Sequence, residues 1–515
     1  MQSDKVSFEM TNDSVYPEFA PFDPSTKYNE YTSQNISKNK NEVYDIVRNL
    51  LINLSLDKEN IGSEKWSPFS KLVKKNGTVF IKPNLAKHIH KYGNSGLKST
   101  ITHGSVIRPL IDYAFKAVGT NGKIVIGDTP FEHTLWEPMM NITGIDEMVK
   151  ILKNRGIPIF LYDLRKYQTI FKPGMRNTIK IEKNGDPLGY SIIDLKEESE
   201  FSNLDKFEQN YHTLADHTVD HYDPYKKNNI GVTNKYHNKN THQYLVSNSI
   251  LSADLIINVP KLKTHGKTGV TLNLKNMIGI VSGKEYMPHH RPGKPPFGDS
   301  FPIEPNKTFI NNRLRRRDIA EKFSWIQKLF PKKISDIIIN TSRKIILENF
   351  YPVKDYMDDR IEWGDWHGND TLWRTIIDLN KILLYWDLKE NKFSKKKLRN
   401  YFSVIDGILG QDGQGPTAGD PFESKVLLAG TNPVSVDTIA CIIMGIDPDK
   451  IKLMKNSNLI KNYIGTTNLD KINVFSKDNF PFYEFKAPGN SKRAWEENFR
   501  LEKFDSKKIK LTKTK

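Results

Sequence analysis

The densest group of side chains able to do chemistry is Lys261, Lys263, Thr264 and His265, followed by Lys275-Asn276 and Lys284. Four lysines and a histidine after one apolar run would set a positive field over a site, suited to a carboxylate or phosphate. Solvation is the ordinary fate of a lysine, and Lys267 and Lys294 are read that way. A lysine desolvated beside other cations can instead lose its proton and act as a base or an amine nucleophile. The sequence leaves both roles open.

Other polar residues fall at the ends of β-branched runs: Lys82 and Asn84, Asp128 and Thr129, Asn258, and Asp406. Each alone is ordinary turn chemistry. As a set they suggest a site, because ligands of open parallel sheets sit outside the carboxyl ends of the strands. The expected catalytic residues are His265 as general acid or base, Lys263, and Asp128 and Asp406 to orient the base. Expected substrate contacts are Lys82, Asn84, Asn258, Lys261, Lys275, Asn276 and Lys284. Asp128, His265, His289 and Asp406 have the donor types for a divalent metal, although no fixed ligand spacing or His-Glu-x-x-His motif is present.

A single cysteine, Cys441, excludes a disulfide framework and an iron–sulfur cluster, and its apolar neighbours mark it as core. There is no Walker loop, nucleophile elbow or dinucleotide fingerprint. The glycines from Gly410 to Gly419 read as an anion-facing loop or a tight turn.

The elements that must hold these residues follow a recurring pattern. Thr78–Ile81, Lys123–Ile126, Leu255–Val259 and Phe402–Ile405 are short continuous apolar runs alternating with helical periodicity, as at Val43, Ile46, Val47, Leu50, Leu51 and Leu54. That pattern specifies an α/β fold, a mostly parallel sheet with helices on both faces. Pro158–Tyr162 and Lys425–Ala429 fit as further strands. Asn432 is a candidate helix cap before Pro433, and Asn184-Gly185 is a hairpin signal. The expected divisions are an extended N-terminal arm at 1–40, a first part of the core at 41–284 with a polar excursion near 200–245, a Pro-rich loop and helical insertion at 285–400, a second part of the core at 401–485, and a basic tail at 486–515. Asn369-Asp370-Thr371 should cap a helix whose buried face holds Leu372, Ile376, Leu379 and Leu383.

The 515 residues carry 77 Lys and Arg against 60 Asp and Glu, a formal charge of +17. Much of it lies in runs at Arg313–Arg317, Lys395–Arg399 and Lys507–Lys515, which read as solvated faces and tails. No nucleic-acid-binding motif accompanies them, so specific nucleic-acid binding is not expected. No secretory signal and no apolar run long enough for a membrane span is visible, which sets the expected location as the cytoplasm.

Lys82-Pro-Asn-Leu85, Gly127-Asp-Thr-Pro130, Ala253-Asp-Leu-Ile-Ile-Asn-Val-Pro-Lys-Leu-Lys-Thr-His265, Leu274-Lys-Asn-Met-Ile-Gly279, Asp406-Gly407 with Gly415-Pro416, and Asn432-Pro-Val-Ser-Val-Asp437 occur in order over about residues 75 to 450. Together they resemble the bacterial and archaeal Domain of Unknown Function 362 family. Many relatives carry a ferredoxin-like cysteine module, which one cysteine cannot reproduce here. The family is also distantly similar to the nickel-dependent lactate racemases. The resemblance further implies, for long members with a segment like Gly368-Asn-Asp-Thr-Leu-Trp373, an association with surface polysaccharide. The resulting expectation is an isomerase, epimerase or oxidoreductase acting on a hydroxy acid, sugar acid or phosphosugar by proton or hydride transfer. The alternative is a noncatalytic binding or assembly protein for an acidic glycan or an acidic protein segment.

Overall fold

The computed structural model describes residues 4–31, 33, 35–170, 179–204, 209–212, 231–300, 341, 364–457, 464–488, 495 and 498–514. Its main sheet has twelve strands: β1 (Asp4–Met10), β2 (Thr78–Pro83), β3 (Lys123–Asp128), β4 (Ile159–Asp163), β5 (Leu255–Val259), β6 (Lys261–His265), β7 (Gly269–Thr271), β8 (Asn400–Asp412), β9 (Asp420–Phe422), β10 (Val426–Gly430), β11 (Ile472–Ser476) and β12 (Lys510–Lys513). The path across it is β12-β11-β1-β10-β8-β5-β2-β3-β4. Neighbours on this path are parallel, except that β10 runs against both β1 and β8. The fold is therefore α/β with a mostly parallel sheet.

Alternate residues of each strand enter two cores, one on each face. Val79, Ile81, Ile124, Ile126, Leu255 and Ile257 belong to the first, with the apolar stripes of α1 (Glu42–Asn53), α2 (Gly104–Val118) and α3 (Ile145–Asn154). Phe80, Val125 and Ile256 belong to the second, with α4 (Leu372–Tyr385) and α5 (Pro433–Ile443). Each fully buried Leu, Ile, Val or Phe contributes roughly 1.5–3 kcal/mol, so both faces need their helices. Leu372, Ile376, Leu379 and Leu383 are buried, and Asn369 Oδ1 accepts the Leu372 N–H at 2.9 Å as the start of α4 requires. Cys441 is buried in α5.

Several local expectations change. The supposed N-terminal arm begins as β1, a strand inside the sheet, because Val6 and Phe8 alternate with polar residues and are fully buried. The basic tail ends in β12, on the sheet edge. Asn184-Gly185 does not close a hairpin. Ile179–Glu182 pairs back with Tyr167–Ile170, whereas Tyr190–Asp194 pairs with Thr241–Ser247. The intervening Asp186 is held by Ser247 and Ser249, which fixes the turn away from a two-strand closure. Asn432 precedes α5, but its side chain donates to Asp4 of β1 rather than capping the helix. Arg399 is not part of a solvated run: it is buried, donating to the carbonyls of Leu251, Leu383 and Trp386. The 313–317 run and the polar stretch 213–230 lie outside the described residues. No helix among the described residues is long and apolar enough to cross a membrane.

Candidate functional site

The parallel strands β2, β3 and β5 bring their carboxyl ends to one edge, and the chain leaving β5 does not turn away. After Pro260 it continues as β6, which pairs with the second half of β8 through Lys261↔Asp406 and Lys263↔Gln411. The lysine cluster expected on a loop is thus a strand. Its period of two turns Lys261, Lys263 and His265 to one side, and all three are buried. Asp406 likewise lies mid-strand rather than at a strand end, because β8 runs on through Gly407. A Cβ at Gly407 would stand 2.9 Å from Leu262 Cδ2 and 2.7 Å from the Val426 carbonyl, so the close approach of β6 and β10 to β8 needs glycine there.

Two of the lysines are neutralised by carboxylates. Lys82 Nζ lies 2.6 Å from Asp128 Oδ1, both fully or nearly fully buried. Asp128 also accepts the N–H groups of Leu85 at 2.6 Å and Thr129 at 2.7 Å. Lys261 Nζ lies 3.0 Å from Asp406 Oδ2. Tyr16 completes this second pair, donating its hydroxyl to Asp406 Oδ1 at 2.6 Å and accepting from Lys261 at 2.6 Å, while its ring stacks on His103. Burial lowers the Lys82 and Lys261 pKa values and raises that of Asp128, against the pull of their partners. Gly279 packs on the first pair: a Cβ there would lie 2.1 Å from Asp128 Oδ1 and 2.6 Å from Lys82 Nζ.

The other three lysines have no carboxylate partner among the described residues. Lys263 donates to the Thr100 carbonyl at 2.8 Å and Lys284 to the Thr129 carbonyl at 3.2 Å. Lys275 makes no hydrogen bond or ion pair among the described residues. Burial, reinforced by the charges of Lys275, Lys261 and Lys87, drives Lys263 well below the usual lysine range. Burial and then Lys284 and Lys82 push Lys275 down to about 7. Lys284 falls to about 8, chiefly by burial. These mutual influences show that the three lysines lie near one another, the surplus of a field whose other members are already paired.

His265 borders the same group. Its Nδ1 accepts the N–H groups of Lys267 at 3.1 Å and Thr268 at 3.4 Å, which leaves the proton on Nε2. Burial and the charges of Lys275, Lys267, His289 and Lys263 hold its pKa well below the ordinary value, so the ring is a neutral Nε2–H donor. No carboxylate among the described residues orients it. His289 is buried, with Nδ1 2.8 Å from the Met287 carbonyl oxygen. Lys267, expected in solvent, is buried and lies 2.7 Å from Asp365. Lys294 is exposed.

A chain of amides forms another wall. Asn84 Nδ2 donates to Asn276 Oδ1 at 2.8 Å, Asn276 Nδ2 to Asn258 Oδ1 at 2.7 Å, and Asn258 Nδ2 to Tyr401 Oη at 2.7 Å. Asp437 of α5 anchors the short helix Asn273–Asn276 by accepting the Asn273 and Leu274 N–H groups at 2.8 and 3.0 Å. Burial pushes its pKa up to about 7. With every donor pointing one way, Asn84 Oδ1 is a buried acceptor without a partner, as is the hydroxyl of Thr129. Such atoms are costly unless something else satisfies them.

The expected residues therefore converge on one neighbourhood, but in different roles. Lys82, Lys261, Asp128 and Asp406 are its internal ion pairs. Lys263, Lys275, Lys284 and His265 face its unbalanced volume, and Asn84, Asn258 and Asn276 form the amide wall. No group of three or more His, Cys, Asp or Glu side chains among the described residues is arranged to hold a metal. Of the expected metal ligands, Asp128 and Asp406 are each paired with a lysine, Lys82 and Lys261. The turn from Gly413 to Gly419 links β8 to β9, with Gly415 packed against the Thr264 carbonyl. Sequence reasoning missed Tyr16 and Thr100. Tyr16 lies in a stretch without apolar periodicity, and its partners are 245 and 390 positions away.

The family model described as a domain of unknown function, DUF362, matches residues 206–442, which include β5, β6, the Asn273–Asn276 helix and β8. No curated protein matches the chain.

Proposed function

For a chain that belongs to the DUF362 family, we propose an enzyme of the cytoplasm that acts on an anionic small molecule, a hydroxy acid, sugar acid or phosphosugar, by proton or hydride transfer. One observation carries the reading: Lys263, Lys275 and Lys284 lie near one another without carboxylate partners among the described residues. Desolvated cations are costly unless an opposite charge arrives, and an anionic substrate supplies it. Lys263 and Lys284 hold the anion, His265 donates from Nε2 to an oxygen on the reacting carbon, and Asn84 Oδ1 accepts from a substrate hydroxyl. The association with surface polysaccharide that the resemblance implies for long members with a segment like Gly368–Trp373 makes sugar acids a first choice.

The noncatalytic alternative, retention of an acidic glycan or an acidic protein segment, is favoured by the lack of a carboxylate behind His265. Calorimetric titration with lactate, glucuronate, glucose 1-phosphate and neutral glucose tests the binding step. The anions should bind, glucose should not, and Lys263→Met should weaken binding by at least about tenfold, the loss of one charge-assisted contact. Equal affinity for glucose would end the anion reading. Deuterium entering a bound substrate from solvent supports the enzyme, and binding without exchange or turnover across the panel supports retention.

A further inference from the structure

Five buried or nearly buried lysines surround the site, and four of them are committed. Lys82 and Lys261 are held by Asp128 and Asp406. Lys263 and Lys284 donate to backbone carbonyls. Among the described residues Lys275 has neither a carboxylate nor a hydrogen-bond acceptor, and it alone of the five retains partial exposure. It lies within the short helix Asn273–Asn276 whose first N–H groups Asp437 holds in place, so its stem starts from a rigid base. The cations nearest in effect are Lys284 and Lys82. An ammonium in that position meets the repulsion of both, offset only in part by the charge of Asp128, whereas a neutral amine meets none. Its lone pair is then free and reachable.

We propose that Lys275 is a nucleophilic amine that captures the carbonyl carbon of a 2-oxo acid as an imine, with Lys263 and Lys284 holding the adjacent carboxylate. This deepens the anionic-substrate reading and rests on it. The nitrogen adds to the carbonyl carbon and a proton passes from nitrogen to oxygen. The carbinolamine then loses that oxygen as water, forming the C=N bond without oxidant or reductant. Protonation of the imine nitrogen from solvent draws electrons from the neighbouring carbon and loosens its C–H bond. Imine formation thus prepares the proton transfer proposed above. The 2-oxo acid class follows from the need for a carbonyl beside an anion within one cluster of cations.

The test is reductive trapping on the full-length protein. Pyruvate and cyanoborohydride are added near neutral pH, and modified peptides are mapped by mass spectrometry. Lys275 should be labelled at least about tenfold faster than exposed lysines, because it is largely neutral where they are protonated. Its labelling rate should level off above about pH 7, where its amine is already free. Lys275→Arg should abolish the adduct, and wild-type mapping decides the matter if that variant fails to fold. Label spread over surface lysines, with Lys275 no faster than the rest, overturns the proposal. Lactate titration, which needs no carbonyl, separates the failures: lactate binding without trapping removes the imine and leaves the anion site, whereas absence of both removes both.

Discussion

The Lys82–Asp128 pair should reveal itself as an asymmetry between its two single substitutions. At 2.6 Å and an effective dielectric of about 20, the gross attraction is about 6 kcal/mol, offset by the cost of taking both groups out of water. Removing one partner of a buried pair usually costs about 3–5 kcal/mol, because the survivor is stranded. The survivors here are not equal. Without Lys82, the Asp128 carboxylate still accepts the Leu85 and Thr129 N–H groups. Without the carboxylate charge, Lys82 keeps only the Pro83 carbonyl at 2.8 Å. Asp128→Asn should therefore cost about 3–5 kcal/mol and Lys82→Met about 1–3 kcal/mol. The double substitution should cost less than the two added together. Urea denaturation of the three variants, read by circular dichroism, measures this. If Asp128→Asn is no worse than Lys82→Met, or both fall within about 0.5 kcal/mol of wild type, the reasoning about stranded charge is wrong.

Gly279→Ala should disturb the same pair without changing any charge, lowering the urea midpoint and weakening anion binding together, and an unchanged midpoint would contradict the packing described. Tyr16→Phe removes the hydroxyl shared by Lys261 and Asp406 and should cost about 1–3 kcal/mol in the same assay. The pKa values of Lys275 and Lys284, depressed to about 7 and about 8, mean that the folded protein holds fewer protons than the unfolded chain from there up to about 10.4. Their contribution to stability should accordingly rise with pH across that window. Anion affinity should fall over the same rise, as these ammonium groups lose their charge, and calorimetry with inorganic phosphate at about pH 6 and about pH 9 checks it. Burial raises the Cys441 thiol well above its ordinary value, so iodoacetamide should label it only after the protein is unfolded.

Much of this architecture was readable from residue pattern. Continuous apolar runs such as Leu255–Val259 found their place in the sheet, and the polar residues at their ends met in one neighbourhood. What escaped detection has physical causes. The segment Lys261–His265 alternates, but its alternate members are cations that usually signal solvent, and only tertiary pairing with β8 makes them a buried face. Val6 and Phe8 carried a period-two signal too short to stand out among polar neighbours. The division of the lysines into paired and unpaired groups depends on Asp128 and Asp406, which lie 46 and 145 positions from Lys82 and Lys261 along the chain. Distances of that kind leave no trace in local spacing.

The position of β1 also constrains how the molecule is made. Its two sheet neighbours are Val426–Gly430 and Ile472–Ser476, so during synthesis this strand waits for partners more than 400 residues downstream. Until then Val6 and Phe8 have no sheet to enter, and the strand's hydrogen-bonding groups remain open on both sides. Ring closure over such a length is slow and exposes the nascent chain to mispairing. The half-sheet β8-β5-β2-β3-β4 can assemble earlier, whereas the half containing β1, β10 and β11 forms only once the residues up to Ser476 have been made. A chain stopped before about residue 470 would thus leave β1 without its parallel neighbour, an unfinished edge available to chaperones and proteases.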